Sequence, residues 1–279
     1  MIRFEHFSYG YGPKNLALQD IAVELASGTL TVVTGLSGCG KSTFCRSLCG
    51  LVPHFFGGRA AGDIYLNETS IVKSTLQEIS PQVAIVLEDY ESQLFSLTVW
   101  EEMTFHNTLP LAAAKEKVET YLAAVGLAGF ANREIAALSG GQKQRLAIAA
   151  ALIREPQFFV FDEPAAALDP EGKKQLYKLL RRLSDDGMTV VAAEQDPRDL
   201  LLLADQLLVL EAGKLRFAGT PRSLAPTLET DSLYQRFLPD LWQLRSRIGD
   251  ASLPYWQTEE EASKDLFCYL QAVKGEKRC

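Results

Sequence analysis

The sequence predicts an α/β fold in which helices cover both faces of a mixed, largely parallel sheet. Short apolar segments typical of strands alternate with helical segments in the first and last parts of the chain, a pattern typical of parallel sheets. Between these parts, residues 91–155 are rich in alanine and poor in strand formers, which predicts an inserted helical subdomain. With 279 residues, 47% of them hydrophobic, the chain can bury a substantial core.

The individual elements follow from local patterns. Residues 2–8 and 20–34 are predicted to form short strands, and residues 41–51 a helix that stops near Gly50 and Pro53. The further elements that we predict are strands at 63–66, 83–87, 158–161, 189–193 and 206–210, and helices at 171–183 and 197–204. The tail, residues 225–279, is amphipathic and predicts a C-terminal extension.

The composition argues against several classes of protein. A net charge of −7 and a pI near 5.2 disfavour a nucleic-acid surface, so we expect no nucleic-acid partner. No apolar run approaches the roughly 20 residues of a membrane-spanning helix, and the N-terminus lacks a signal-peptide pattern. Cys45 and Cys49 are one helical turn apart, but no further ligand lies at metal spacing, which favours a buried helix with reduced, cytosolic thiols.

The strongest single motif is Gly-Leu-Ser-Gly-Cys-Gly-Lys-Ser-Thr at residues 35–43. It fits the phosphate-binding pattern G-x-x-x-x-G-K-[ST] and lies between a predicted strand and a predicted helix. Glycines let the backbone wrap around a phosphate, a lysine supplies charge to the β- and γ-phosphates, and the following hydroxyl can bind Mg²⁺. The predicted nucleotide contacts are Gly35, Ser37, Gly38, Cys39, Gly40, Lys41, Ser42 and Thr43.

Two adjacent acids follow the apolar strand predicted at residues 158–161. A buried strand would present both at its carboxyl end. Asp162 is expected to hold Mg²⁺, and Glu163 to polarise the water that attacks the γ-phosphate. Alone, such acids could simply begin a helix, but after a phosphate loop the catalytic interpretation is favoured.

A third motif, Ser139-Gly140-Gly141-Gln142, begins a predicted helix and presents a hydroxyl and backbone N–H groups at its positive end. It resembles the signature of the ATP-binding cassette family, and it lies between the phosphate loop and the paired acids, as in that family. Residues 165–169, which end at Asp169, resemble the family's D-loop, which links two facing sites.

The resemblance covers about residues 2–224 and implies a P-loop NTPase fold with N-terminal antiparallel strands. It implies a cassette domain at residues 1–224, a helical signature subdomain at about 91–155, and ATP and Mg²⁺ as ligands of an ATPase. In this family two cassettes meet head to tail, so the signature, Ser139 to Gln142, would contact the γ-phosphate held by the opposing subunit. Tyr9 occupies the position of the aromatic residue that stacks on adenine, and Tyr11 is the alternative.

The chain departs from the family pattern at two positions. Glu88 replaces the glutamine that precedes the helical subdomain; its carboxylate could bind Mg²⁺ but adds negative charge, and Gln93 is a substitute at the wrong spacing. Gln195 replaces the switch histidine. Glutamine can hydrogen-bond a phosphate but cannot carry a charge, so the chain's own site is expected to be slow. The three histidines, His6, His54 and His106, all precede the signature.

Residues 53–58 and 93–99 are similar to the ATPases of energy-coupling-factor importers, which take up vitamins or transition-metal ions. This resemblance implies a transmembrane scaffold and a substrate-binding membrane subunit as partners, with the chain peripheral on the cytoplasmic face of the membrane. Residues 88–100 would contact the scaffold, and the extension would help to pair two ATPases. The intact signature and the altered own site favour a heterodimer with a second cassette over a homodimer.

Two other classes of function compete with the importer interpretation. A cassette ATPase acting on DNA would need a long inserted coiled coil, and one acting on ribosomes usually carries two cassettes in tandem; neither is present here. A nucleotide-dependent clamp with little turnover is supported by Glu88 and Gln195 but opposed by Glu163.

Overall fold

The computed structural model describes residues 1–13, 15–105, 109–166, 168–250 and 252–273. Its strands form a four-stranded sheet with the order β2-β1-β4-β5 and a six-stranded sheet with the order β10-β9-β3-β8-β7-β6. The strands are β1 (Ile2–Gly10), β2 (Leu18–Leu25), β3 (Leu30–Gly35), β4 (Arg59–Leu66), β5 (Thr69–Ser70), β6 (Val83–Val86), β7 (Phe158–Asp162), β8 (Thr189–Ala193), β9 (Gln206–Glu211) and β10 (Lys214–Gly219).

The helices alternate with the strands along the chain. They are α1 (Lys41–Leu48), α2 (Leu51–His54), α3 (Leu76–Ile79), α4 (Val99–Thr104), α5 (Leu111–Ala124), α6 (Gly140–Leu152), α7 (Pro170–Asp185), α8 (Arg198–Leu201), α9 (Pro221–Thr230), α10 (Asp240–Ile248) and α11 (Glu259–Val273). Short 3₁₀ helices lie at Tyr90–Gln93, Ile135–Ala137 and Gln235–Phe237. Within the described ranges, no helix is both long enough and apolar enough to cross a bilayer.

The six-stranded sheet carries the predicted α/β architecture. Strands β6, β7, β8, β3 and β9 run parallel, and β10 closes the edge antiparallel to β9. The four-stranded sheet is antiparallel, as the resemblance implied for the N-terminal strands. The predicted fold class is therefore confirmed.

Alternate residues of β7 enter different apolar clusters. Phe159 and Phe161 belong to the apolar cluster that contains residues of α5, α6 and α7. Phe158 and Val160 belong to the other cluster, which contains residues of α1 and of the four-stranded sheet. This alternation follows from the two-residue period of a strand. The apolar run 158–161 is thus a fully buried strand, as predicted.

Several element bounds differ from the predicted ones. The stretch 20–34 contains two strands, because a turn with Gly28 at φ +68° separates β2 from β3. Helix α1 ends at Leu48 rather than 51, since Gly50 adopts the left-handed region at φ +70°. Strand β10 was not predicted, because its residues alternate between exposed and half-buried and include two basic side chains.

The core continues past residue 224. Six apolar residues beyond this position belong to the same cluster as β3 and β8: Ala225, Leu228, Tyr234, Phe237, Leu238 and Trp242. A small separate cluster consists of Leu253, Trp256 and Ala262. The boundary at 224, the helical subdomain at 91–155 and the extension at 225–279 stay predictions. His106, Ala251 and residues 274–279 lie outside the described residues.

Candidate nucleotide-binding site

The phosphate loop connects β3 to α1, as the motif predicts. Gly35 and Gly40 have positive φ, and a Cβ atom would lie 2.2 Å from the Leu210 carbonyl oxygen at Gly35 and 2.7 Å from the Ala17 carbonyl oxygen at Gly40. No side chain caps the start of α1, and its first turn contains no acid. The backbone N–H groups there can accept an anion.

Lys41, the first residue of α1, is only 5% exposed. Its Nζ donates a hydrogen bond to the Gly35 carbonyl at 3.2 Å and lies 3.5 Å from Oε1 of Glu163. The Lys41 amine therefore contacts both the phosphate loop and Glu163, the acid expected to polarise the attacking water. A phosphate bound in the loop would compete with Glu163 for this amine.

Asp162 ends β7 and is 2% exposed. Its Oδ1 is buried and has no hydrogen-bond partner among the described residues. Burial raises the pKa of Asp162, and the charges of Glu163 and Glu88 also raise it, while a hydrogen bond from Ser42 and the charge of Arg46 lower it. An unpaired buried carboxylate oxygen beside a hydroxyl is an arrangement that a divalent cation would satisfy.

These side chains fit the Mg²⁺ that the family implies. Within the described ranges, no group of three or more His, Cys, Asp or Glu residues could hold a metal ion. A site with Ser42, Asp162 and an exposed Glu88 suits Mg²⁺, whose remaining ligands would be phosphate oxygens and water. It would not suit a cation that needs protein ligands alone.

Glu163 follows Asp162 in a left-handed backbone conformation, with φ +52°. Its N–H donates to the Ala193 carbonyl at 2.9 Å, which ties it to the end of β8. Gln195 lies two residues beyond the end of that strand and is exposed. Because β3, β8 and β7 are neighbours in a parallel sheet, their carboxyl ends bring the phosphate loop, Gln195 and Glu163 to one edge.

The structure adds one residue that sequence reasoning missed. Glu194 is 5% exposed, and its Oε1 accepts a hydrogen bond from the Ala165 N–H at 3.3 Å. Burial raises its pKa to about 7. The available signal was an acid directly after the apolar run 189–193, beside the position of Gln195.

The predicted signature caps α6. Ser139 is the N-cap: its hydroxyl accepts from the Gln142 N–H at 3.4 Å, and the Gln142 side chain accepts from the Ser139 N–H at 2.9 Å. This reciprocal pair fixes the entry to the helix and leaves Gly140 exposed. One turn on, Gln144 is buried and donates to the Pro164 carbonyl, directly after Glu163.

The predicted D-loop precedes α7. Asp169 is the N-cap of this helix and accepts from the Gly172 N–H at 2.8 Å, while Ala167 lies outside the described residues. A cleft of about 710 Å³ is lined by Ser139, Gly141 and Asp169, among others, and none of the described phosphate-loop residues lines it. The structure therefore brings the signature together with the D-loop, not with the chain's own phosphate loop.

The two candidate base platforms differ in exposure. Tyr9 is fully buried, its hydroxyl donates to the Gly57 carbonyl at 2.7 Å, and its ring packs edge-on against Tyr11. Tyr11 is 46% exposed and lines a hollow of about 420 Å³ beside the loop that follows β1. The prediction for Tyr9 needs correction, since a ring enclosed on all sides has no face for a base.

Gln93 is also unsuited to replace the family's glutamine. Its Oε1 accepts from the Leu87 N–H at 2.9 Å, and its amide nitrogen donates to the Ile85 carbonyl at 3.1 Å. Both ends of the side chain therefore hold the loop after β6. Glu88 remains the side chain at the family position that is exposed and electrostatically close to Asp162.

Known proteins of one family match this chain. The sequence profile that describes the ABC transporter family matches residues 18–166. The chain belongs to this family. Its members are cassette ATPases, and an ABC transporter ATP-binding protein of Pyrococcus abyssi is 33% identical over 82% of this chain and 84% of its own length.

The similar proteins include an ATP-binding protein of an energy-coupling factor transporter. An energy-coupling factor transporter ATP-binding protein of Methanothermobacter thermautotrophicus is 35% identical over 89% of this chain and 80% of its own length. The structure of cbiO1 from Clostridium perfringens, described as part of the ABC transporter complex cbiONQ, has a TM-score of 0.73, 27% identity, and coverage of 88% of this chain and 98% of that one. Some relatives are longer: the chain spans 38% of an ABC transporter ATP-binding protein of Methanosarcina mazei.

Proposed function

We propose that this chain is the ATP-binding and ATP-hydrolysing subunit of an energy-coupling-factor type importer. It would be peripheral on the cytoplasmic face of the membrane and would drive uptake of a vitamin or transition-metal ion. The observation that carries the ATPase part is the unpaired Oδ1 of Asp162 beside Ser42, next to the Lys41–Glu163 ion pair. The importer part is supported by two similar proteins: the energy-coupling factor transporter ATP-binding protein of Methanothermobacter thermautotrophicus, and cbiO1 of Clostridium perfringens, which is part of the ABC transporter complex cbiONQ.

The phosphate loop would bind the triphosphate through the N–H groups at the start of α1 and through Lys41. Ser42, Asp162 and Glu88 would hold the bound Mg²⁺, which supplies positive charge to the β- and γ-phosphates. Because Lys41 is nearly buried, its charge acts in a medium of low dielectric, where its attraction for phosphate is strong.

Glu163 would act as the base for the attacking water. In the structure its carboxylate is 3.5 Å from the Lys41 amine. A γ-phosphate that draws this amine away would leave Glu163 free to accept a hydrogen bond from water. Phosphate binding and base activation would thereby be linked through one lysine. Gln195, which is exposed at the same sheet edge, would hydrogen-bond the phosphate.

We further propose that the chain works in a heterodimer with a second cassette. The signature is fully capped and points its exposed Gly140 outward, whereas Glu88 and Gln195 alter the chain's own site. The length of the relatives supports pairing, because the protein from Methanosarcina mazei has room for a second domain of this size. A homodimer would place both altered residues in both sites.

The surface proposed for the membrane scaffold is apolar and exposed. It consists of Phe95, Leu97 and Phe105, which are 62%, 79% and 59% exposed, and the rings of Phe95 and Phe105 pack edge to face with their centroids 4.6 Å apart. Phe95 and Leu97 lie in the predicted scaffold-contacting segment, residues 88–100. An apolar patch of this kind is typical of a protein–protein interface.

The decisive experiment uses the complex that co-purifies with the full chain from detergent-solubilised membranes. It should contain a membrane subunit and, one to one, a related cassette subunit. In this complex, Ser139→Arg is expected to lower ATP turnover more than Lys41→Ala, because the signature would serve the competent site on the partner. Ser74→Arg, in the loop before α3, is the matched control.

A self-dimer with brisk turnover that Gln195→Ala sharply lowers would contradict the heterodimer. A second candidate function, a nucleotide-dependent clamp, is favoured by the same two altered positions. It would be identified by tight, ATP-dependent pairing in a complex that shows no turnover in the presence of its membrane partners.

A further inference from the structure

Glu194 is a buried acid that neither binds the phosphate loop nor belongs to any motif. Its backbone is fixed at the edge of the sheet, since its N–H donates to the Val33 carbonyl at 2.9 Å and its carbonyl accepts from the Thr34 hydroxyl at 2.8 Å. With the backbone held on β3 and β8, the carboxylate has a defined position. A buried acid costs free energy unless it is well paired, so its partners indicate its role.

The partner of the carboxylate is the turn that carries Glu163. Oε1 of Glu194 accepts from the Ala165 N–H at 3.3 Å, and the preceding strand residue, Ala193, accepts from the Glu163 N–H at 2.9 Å. On the other side, Gln144 of the signature helix donates to the Pro164 carbonyl. The turn is therefore held from β8 and from α6 at three consecutive residues.

The turn that contains Glu163 has a backbone conformation that its surroundings must stabilise. The backbone of Glu163 has φ +52°, which is uncommon for a residue with a Cβ atom and persists only where the surroundings enforce it. The conformation directs the Glu163 carboxylate to within 3.5 Å of the Lys41 amine. Release of Ala165 would let the turn relax and move the base.

The charged surroundings of Glu194 come from two other elements. From α7, the Tyr177 hydroxyl and the charge of Lys173 lower its pKa; from the turn after β7, Glu163 raises it, and burial is the largest effect, so that the pKa is about 7. Asp196 and Asp199, on the segment after β8, lie close enough to influence Tyr177, and Lys173 is also paired with Asp199 at 3.5 Å.

We propose that Glu194 is a positioning residue for ATP hydrolysis: its carboxylate, through the Ala165 N–H, fixes the turn that presents Glu163. The proposal rests on the ATPase function proposed above. Ionised Glu194 accepts a charge-assisted hydrogen bond, which is stronger than the bond to the protonated acid. The turn is thus held most firmly above the pKa of Glu194, and turnover falls as the pH drops through about 7.

The test uses the co-purified complex with Ser139→Arg in this chain, which disables the site on the partner, so that the turnover measured comes from the chain's own site. In this background Glu194→Gln and Glu194→Ala are compared with the parent, and Glu68→Gln, an exposed acid before β5, is the control. ATP turnover is measured from pH 5.5 to 9, and nucleotide affinity separately. Glu194→Ala is expected to lower kcat about tenfold with KM for ATP unchanged, the effect of losing roughly one buried hydrogen bond from the transition state. Glu194→Gln, which keeps a neutral acceptor, is expected to lose less activity and to lose the decline of kcat below pH 7.

Hydrogen exchange provides a readout independent of turnover. The amides of Glu163, Ala165 and Ala166 should exchange faster in Glu194→Ala than in the parent chain, with Glu194→Gln between them. The proposal is overturned if Glu194→Ala keeps the parental kcat and exchange, or if Glu194→Gln keeps the decline below pH 7. A parent complex without ATPase activity but with the expected exchange pattern would refute the ATPase proposal and leave the contact to Ala165 standing.

Discussion

Tyr9 and Tyr11 differ in exposure, so replacing each by leucine should affect a different property: ATP binding for Tyr11 and stability of the folded state for Tyr9. Tyr11→Leu removes an exposed ring, so we expect ATP binding to weaken by about 1–3 kcal/mol, which is between about fivefold and about 150-fold. Tyr9→Leu removes a fully buried ring and its hydrogen bond to Gly57. The hydrogen bond is worth about 1 kcal/mol, and with the void left by the ring the folded state should lose roughly 2–4 kcal/mol.

Binding of ATP and of inorganic tripolyphosphate should be titrated in parallel, with thermal unfolding of each variant. Tripolyphosphate has the charges of the nucleotide tail but no base. Tyr11→Leu should therefore weaken only ATP, and Tyr9→Leu should lower Tm while the folded protein binds both ligands normally. The reasoning is refuted if Tyr11→Leu binds ATP like the parent while Tyr9→Leu loses ATP but not tripolyphosphate.

Three further substitutions test the site, and one vesicle assay tests the membrane contact. Lys41→Ala should abolish tight ATP binding, because the triphosphate loses a nearly buried counter-charge; equilibrium dialysis with unchanged affinity would contradict the phosphate-loop assignment. Glu163→Gln should keep ATP binding, slow hydrolysis and trap an ATP-bound dimer, as seen by turnover and size-exclusion chromatography, and parental turnover would exclude Glu163 as the base. Asp162→Asn should raise the Mg²⁺ concentration needed for turnover, while the Tm in chelator rises because a buried charge with an unpaired oxygen is removed. The purified chain should stay in the supernatant with protein-free anionic vesicles, and strong co-sedimentation would show direct lipid binding instead.

The sheet and the phosphate-binding edge could be predicted because they depend on local patterns. The apolar run 158–161 and the glycine-rich loop each specify a conformation within a few residues, and the order of the motifs along the chain indicated the family. Strand β10 was not predicted, because an edge strand is half exposed and its alternation of apolar and polar residues is too weak to distinguish it from a loop.

Residues whose role depends on distant partners could not be found in this way. Whether Tyr9 or Tyr11 is exposed depends on the Gly57 carbonyl, 48 residues away. Gln93 satisfies two backbone groups of the preceding strand and loop, which no spacing rule reveals. Glu194 resembles an ordinary polar residue after a strand until the fold places the Ala165 N–H against it.

The buried apolar residues after 224 make the first part of the tail a necessary part of the folded ATPase core. Leu228, Tyr234, Phe237, Leu238 and Trp242 are each at most 3% exposed and share a core with β3 and β8. At about 1.5–3 kcal/mol each, their loss would be comparable with the entire 5–15 kcal/mol by which a typical domain is folded. A gene shortened at codon 224 should therefore yield aggregated protein, whereas loss of the helix at Glu259–Val273, whose buried Ala262 belongs to the small separate cluster, should leave that core intact.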